Sequence, residues 1–102
     1  MTHRIPIHPG AILREDVLPT LDIAAADLAQ KLQVSKQLMS RILNEKGPVT
    51  PNIAVRIGEF IGNDPNAWLG MQQEYDLALA KRALAKTLPK IRAARKAMKT
   101  AA

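Results

Sequence analysis

A chain of 102 residues has room for one domain with a modest core and not for two. It contains no cysteine, which excludes a disulfide framework and a zinc–thiolate site, and charges or prolines interrupt every apolar stretch before the roughly 18 residues that a membrane span needs. The net charge of +6 is unevenly spread: residues 1–80 hold seven Lys/Arg against nine Asp/Glu, whereas residues 81–102 hold eight Lys/Arg and no acid. Basicity is thus a property of the C-terminal segment, and composition alone is a weak pointer to nucleic acid.

The opening Met1-Thr2-His3-Arg4 leads into prolines rather than an apolar run, so no signal peptide is expected and the expected location is a reducing cytoplasm. Thr2 to His8 read as an extended arm, residues 1–8, kept open by Pro6 and Pro9. A first helix follows from about Gly10 to Leu18, with Ile12, Leu13 and Val17 on its apolar side and Pro9 at the helix start, where a missing N–H costs nothing. Pro19 is expected to stop it, and Leu21 and Ile23 to plug the core from the connection that follows.

Two short amphipathic runs come next. Leu28, Ala29 and Leu32 share one helical face of Ala25–Leu32, and Met39, Ile42 and Leu43 share one face of the run from Lys36 to Asn44, with Gln33-Val34-Ser35 between them. Ala24 sits where a capping Ser, Thr or Asn would serve, and Asp27 in the first turn offsets its absence through the helix dipole. Thr50-Pro51 is a strong helix start, opening a helix with Ile53, Ala54, Ile57, Phe60 and Ile61 on one side and Gly62 at its end. Asp64-Pro65 repeats the signal for a longer fifth helix carrying Trp68, Leu69, Met71, Tyr75 and Leu79, expected to run to about Leu88 until Pro89 breaks or kinks it. No stretch alternates as a strand would. The expectation is an all-α fold: an extended arm over 1–8, a five-helix helix-turn-helix domain over 9–80 and a basic helical extension over 81–102.

Two helices separated by three residues have the spacing of a helix-turn-helix. The wet face of the second carries Lys36, Gln37, Ser40, Arg41 and Asn44, all donors or neutral amides and none acidic. Such a face suits the floor of a DNA major groove, where Arg pairs with guanine and Gln with adenine. Leu38 either touches a thymine methyl or packs at the edge of the core. A single small domain would bind DNA weakly, so a dimer is expected, with half-sites about 34 Å apart. The stripe Leu77, Ala80, Leu84, Leu88 and Ile91, spaced by three and four, has no core left to fill and is a candidate contact to a second copy or to another protein. The basic tail reads as a solvated extension at least as well as a phosphate contact, and less well as a contact to an acidic partner. Nothing supports an enzyme, a cofactor or a metal site. His3 and His8 are the only imidazoles, Glu15 and Asp16 diverge on their helix, and the glycines form no phosphate loop.

Residues 8–80 resemble the HigA/VapI group of antitoxins, small members of the repressor-like (Xre) helix-turn-helix class. The resemblance rests on His8-Pro9-Gly10, Ile12-Leu13-Arg14-Glu15, Leu28-Ala29, Val34-Ser35, Ser40-Arg41-Ile42-Leu43-Asn44, Thr50-Pro51 with Ala54 and Arg56, and Pro65 with Trp68-Leu69, Gln72, Tyr75 and Asp76-Leu77. It implies a homodimeric autorepressor that binds double-stranded operator DNA and neutralises a cognate HigB-like, mRNA-cleaving toxin from the same operon. The alternatives are an orphan Xre-type repressor, or a toxin-binding protein without useful operator binding. By the resemblance, Ser35 caps the recognition helix and donates to a phosphate. Lys36, Gln37 and Arg41 reach base edges with Ser40 among them, and Asn44 and Lys46 meet the sugar-phosphate backbone. The chain departs from the group at Gln33, which replaces a turn glycine at about 1 kcal/mol of strain. It departs also at Ala25, where related repressors often carry a phosphate-binding glutamine, and at Leu38, in place of a small or hydroxylated residue.

Overall fold

The structure, a computed structural model, describes residues 5–101; Met1 to Arg4 of the expected arm, including His3, lie outside the described residues. Six helices account for the architecture, and no strand occurs among the described residues. The first, α1, is a continuous rod of three pieces, Pro9–Ile12, a wider π-helical segment Leu13–Val17, and Leu18–Leu21. It is followed by α2 (Ala25–Leu32), α3 (Lys36–Leu43), α4 (Pro51–Ile61), α5 (Pro65–Ala83) and α6 (Leu88–Ala101).

Local chemistry explains most of these boundaries. Ser35 Oγ accepts the Leu38 N–H at 3.0 Å and Thr50 Oγ1 the Ile53 N–H at 3.3 Å, so both hydroxyls cap as expected. Asp64 Oδ1 accepts from Asn66 N–H at 2.9 Å ahead of Pro65. Ala24 has no side-chain oxygen to offer, so only half of a reciprocal cap forms: Asp27 Oδ2 accepts the Ala24 N–H at 3.1 Å. Gly62, at φ 86, closes α4 in the left-handed region that glycine tolerates.

Two prolines behave differently from expectation. Pro19 does not end α1, which continues to Leu21 and closes at a left-handed Asp22. A proline ring in a helix normally clashes with the carbonyl four residues back; the widened turn just before it, in which Leu18 N–H bonds the Leu13 carbonyl, gives that ring room. Leu21 is consequently helical and 44% exposed rather than a plug, while Ile23 does pack on the core. Pro89 does not kink a long fifth helix. Instead α5 stops at Ala83, residues 84–87 form tight turns, and a sixth helix starts at Leu88 so that Pro89 falls in its first turn, where no N–H is required. The five-helix expectation is corrected to six for this reason.

The core lies between α1 and the α2–α3 pair on one side and α4–α5 on the other. Leu13, Leu28, Leu32, Met39, Ile42, Ile57 and Trp68 are buried together, with Val49 of the α3–α4 loop among them. Phe60 and Ile61, expected on the buried side of α4, share the face of Ile57 but remain 39% and 37% exposed in the last turn of the helix.

The start of α1 is fixed against the end of α3. His8 is 2% exposed; its Nδ1 accepts the Gly10 N–H at 2.9 Å and its ring meets Tyr75 edge-on at 4.9 Å. A Cβ on Gly10 would stand 1.8 Å from the Ile42 carbonyl oxygen, so only glycine allows α1 and α3 to approach this closely. Burial holds the His8 imidazole below its ordinary pKa of 6.5, outweighing the upward pull of Glu45, Asp76 and the Gly47 backbone.

Gly10→Ala is expected to cost about 2–3 kcal/mol of unfolding free energy through overpacking. Gly70→Ala, in a helix interior with nothing within 4 Å of the new methyl, should instead add about 0.5–1 kcal/mol; urea titration of both variants decides. Since the folded-state pKa of His8 is lowered, the unfolded chain binds the proton first. Stability present above pH 6.5 should therefore decline as the pH falls from 6.5 towards the lowered folded value. His8→Asn, which keeps a capping oxygen and cannot titrate, should flatten that decline when melting temperatures are compared between pH 7.5 and 5.

Candidate nucleic-acid interface

The two helices of the turn motif each end in carbonyls that no intrahelical N–H can reach. At the end of α2, Arg56 from α4 donates to the Leu32 carbonyl at 2.8 Å and the Gln33 carbonyl at 3.3 Å, and Asn52 Oδ1 holds its Nε at 2.7 Å. At the end of α3, Arg14 from α1 donates to the Leu43 carbonyl and to Glu45 Oε2 at 3.2 Å. A cation at a helix C-terminus also opposes the negative end of the dipole. Hydrogen bonds to Glu15, then to Glu45, hold the Arg14 guanidinium protonated even more firmly than usual.

Between the helices, Gln33 adopts φ 58, in the left-handed region. The strain of about 1 kcal/mol is offset locally. The Gln33 N–H bonds Gln30 O at 3.1 Å and the Val34 N–H bonds Ala29 O at 3.0 Å, the closure that normally suits glycine. The charged hydrogen bonds from Arg56 to the same turn, worth about 1.5–3 kcal/mol, outweigh the strain.

The outer face of α3 is open. Ser35, Lys36, Gln37, Ser40, Arg41, Asn44 and Lys46 are all exposed, while Met39, Ile42 and Leu43 point inward. Ser35 uses its oxygen lone pair for the cap and keeps its hydroxyl hydrogen for another acceptor. Asn44 Nδ2 donates to the Ser40 carbonyl at 2.9 Å and to Ser40 Oγ at 3.2 Å, joining these two side chains into one polar unit. Arg41 folds back over Gly47 and donates to the Lys46 carbonyl at 3.3 Å. Glu45, which follows Asn44 in the chain, is drawn into an ion pair with Arg14, and Lys36, Arg41 and Lys46 remain as the charged groups on and beside this face. Leu38 is 37% exposed and, with Arg41, Pro48 and Ile53, borders a shallow recess beside α3.

The loop from Glu45 to Thr50 is anchored from below. Gln72, 5% exposed, accepts the Val49 N–H at 2.8 Å and donates to Asp76 at 3.0 Å. The supporting residues Arg14, Arg56 and Gln72 act across 23 to 31 positions of chain, so no local periodicity discloses their roles; their only trace in the sequence is membership in the motif set that carries the resemblance.

Away from α3, Leu77, Leu84 and Ile91 are exposed and Leu88 is half-buried. The α5–α6 break separates them: Leu77 and Leu88 line a groove of about 930 Å³ with Ile5, Pro6 and Ala78, whereas Leu84 and Ile91 lie outside its lining. No described helix is long and apolar enough to cross a membrane.

Two short helices joined by a three-residue turn, each met at its last carbonyls by an arginine from elsewhere in the fold, with a non-acidic outer face on the second, define a repressor-like helix-turn-helix protein. No family model matches the chain, but individual relatives do. It is 40% identical over 75 residues to virulence-associated protein I of Dichelobacter nodosus, a match spanning 74% of this chain and 69% of the relative. It is 30% identical over 76 residues to antitoxin HigA-1 of Vibrio cholerae, across 74% and 71% of the two chains. Among solved structures, the Pseudomonas aeruginosa antitoxin HigA with the higBA promoter superposes with a TM-score of 0.78 at 37% identity, covering 81% of this chain and 90% of that one. The chain belongs to the HigA/VapI group of helix-turn-helix antitoxins.

Arg56→Met is expected to lower the unfolding free energy by about 2 kcal/mol, by leaving the Leu32 and Gln33 carbonyls without their charged donor. Chemical denaturation measures the loss. Amide exchange should show it concentrated at the end of α2 rather than spread through α5.

Proposed function

We propose that this protein is a homodimeric, sequence-specific autorepressor and the antitoxin of a type II module, binding double-stranded operator DNA and neutralising a HigB-like, mRNA-cleaving toxin. The observation that carries the DNA reading is the outer face of α3: exposed donors on a helix braced at both flanks, with the nearby carboxylate already paired. The Pseudomonas relative with promoter DNA supports it, and the name of the Vibrio relative supports the antitoxin assignment.

In this reading Lys36 and Gln37, on the first turn of α3, enter the major groove first, and Arg41 releases the Lys46 carbonyl to take a guanine edge one turn later. Ser35 donates its hydroxyl hydrogen to a phosphate. Ser40 sits among the base contacts, while Asn44 and Lys46 meet the sugar-phosphate backbone. Two copies reading half-sites about 34 Å apart supply the affinity that one small face lacks, with Leu77, Leu84, Leu88 and Ile91 as candidate contacts to the second copy or to the toxin.

Gel shifts with DNA from upstream of the protein's own gene test the reading. Gln37→Ala and Arg41→Ala should each weaken specific binding by about 5- to 150-fold, the equivalent of 1–3 kcal/mol for removing a bidentate pairing with a base. Lys46→Ala should lower affinity for all sequences alike and flatten the salt dependence by about one phosphate's worth per subunit. Retention of full specificity by Lys36→Ala, Gln37→Ala and Arg41→Ala combined, in a folded protein, would refute it. Failure to co-purify with the product of an adjacent reading frame would reduce it to an orphan repressor.

A further inference from the structure

Helix α6 carries a second, differently built basic surface. Arg92, Arg95, Lys96 and Lys99 follow one another at spacings of three, one and three, which places all four on one face of the helix within two turns. Ile91, Ala94 and Met98, at spacings of three and four, fall on the adjacent face, and Lys90 lies apart from both. Every residue from Pro89 to Lys99 is exposed, and no acid is present anywhere from residue 81 onward. The chain is drawn out to extents of 60 × 25 × 23 Å with a radius of gyration of 18.3 Å, against about 13 Å for a compact chain of this length. Helix α6 therefore extends the molecule beyond the bundle; at its start Leu88 and Arg92 line the groove shared with Glu74 and Leu77 of α5.

This arrangement differs from that on α3. The α3 face mixes Lys, Arg, Gln, Ser and Asn, which can discriminate base edges, whereas the α6 face is cationic only and offers nothing that would tell one base pair from another. A second copy of α6 would be repelled by such a face. A single-sign row at helical spacing matches a polyanion whose charges are regularly placed, and duplex DNA presents one phosphate per roughly 1.7 Å of axis.

We propose that the Arg92–Arg95–Lys96–Lys99 face of α6 is a sequence-independent DNA-backbone contact, engaging phosphates outside the stretch read by α3. The proposal rests on the DNA reading of α3 only for the choice of duplex DNA as partner. Tethering the α6 face to a sequence-reading face raises overall affinity without changing which site is preferred. The long axis of the molecule, 60 Å, exceeds one turn of duplex, about 34 Å, so such a contact can fall beyond a half-site.

The test uses the full chain with Arg92, Arg95 and Lys99 each changed to Gln, a substitution that keeps helix propensity, with circular dichroism confirming the helix. Fluorescence anisotropy with a random-sequence 30-base-pair duplex is read over a salt series. The slope of log K against log salt should fall by about 0.9 for each phosphate no longer neutralised, so by roughly 2–3 per subunit bound. Affinity at moderate salt should fall at least tenfold, and the operator-to-random affinity ratio should stay unchanged. An unchanged slope and affinity would overturn the proposal. So would loss of binding to anionic phospholipid vesicles with duplex binding intact, which would assign the face to a bilayer. Failure of the α3 reading looks different: the wild type would show no operator preference, while the α6 variant would still flatten the random-duplex slope.

Discussion

Two arginines reaching across the fold hold the rest in place. Arg56 from α4 and Arg14 from α1 each donate to the last carbonyls of one helix of the turn motif. Each bond satisfies a group that the helix itself cannot, and each joins an otherwise local element to a distant one. Apolar burial of Leu28, Met39 and Ile42 brings α2 and α3 together, but burial has no direction. The arginine bonds do, and they tie the end of α2 to α4 and the end of α3 to α1.

The same logic extends to the loop after α3. Arg14 takes Glu45 into an ion pair and Gln72 holds the Val49 N–H. Arg41 rests on the Lys46 carbonyl. The segment beside the exposed face is thereby pinned from three helices, while the face itself keeps only weak, exchangeable internal bonds.

Three strained or crowded positions lie at this junction. Gln33 in the left-handed region, Gly10 against the Ile42 carbonyl and buried His8 on Tyr75 all lie where α1, the turn or α5 meets α3 or its flank. Each would be a liability in isolation. Here each is compensated by a bond or a contact from elsewhere in the chain, so stability and placement of the outer helix are tied together.

Amphipathic spacing and hydroxyl–proline signals determined the all-helical class and the bounds of α2, α3 and α4, because these depend on interactions within a few residues. The donors on the α3 face were legible for the same reason: a helix that buries Met39, Ile42 and Leu43 must turn Gln37, Arg41 and Asn44 outward. Tertiary structure alone decided what lies at long range. It gave Arg14, Arg56 and Gln72 their work, because a side chain's partner 20 or more positions away leaves no period in the sequence. It also decided the two prolines: whether a missing N–H ends a helix, is absorbed by a π turn as at Pro19, or moves to the start of a new helix as at Pro89 depends on what the surrounding backbone can give up.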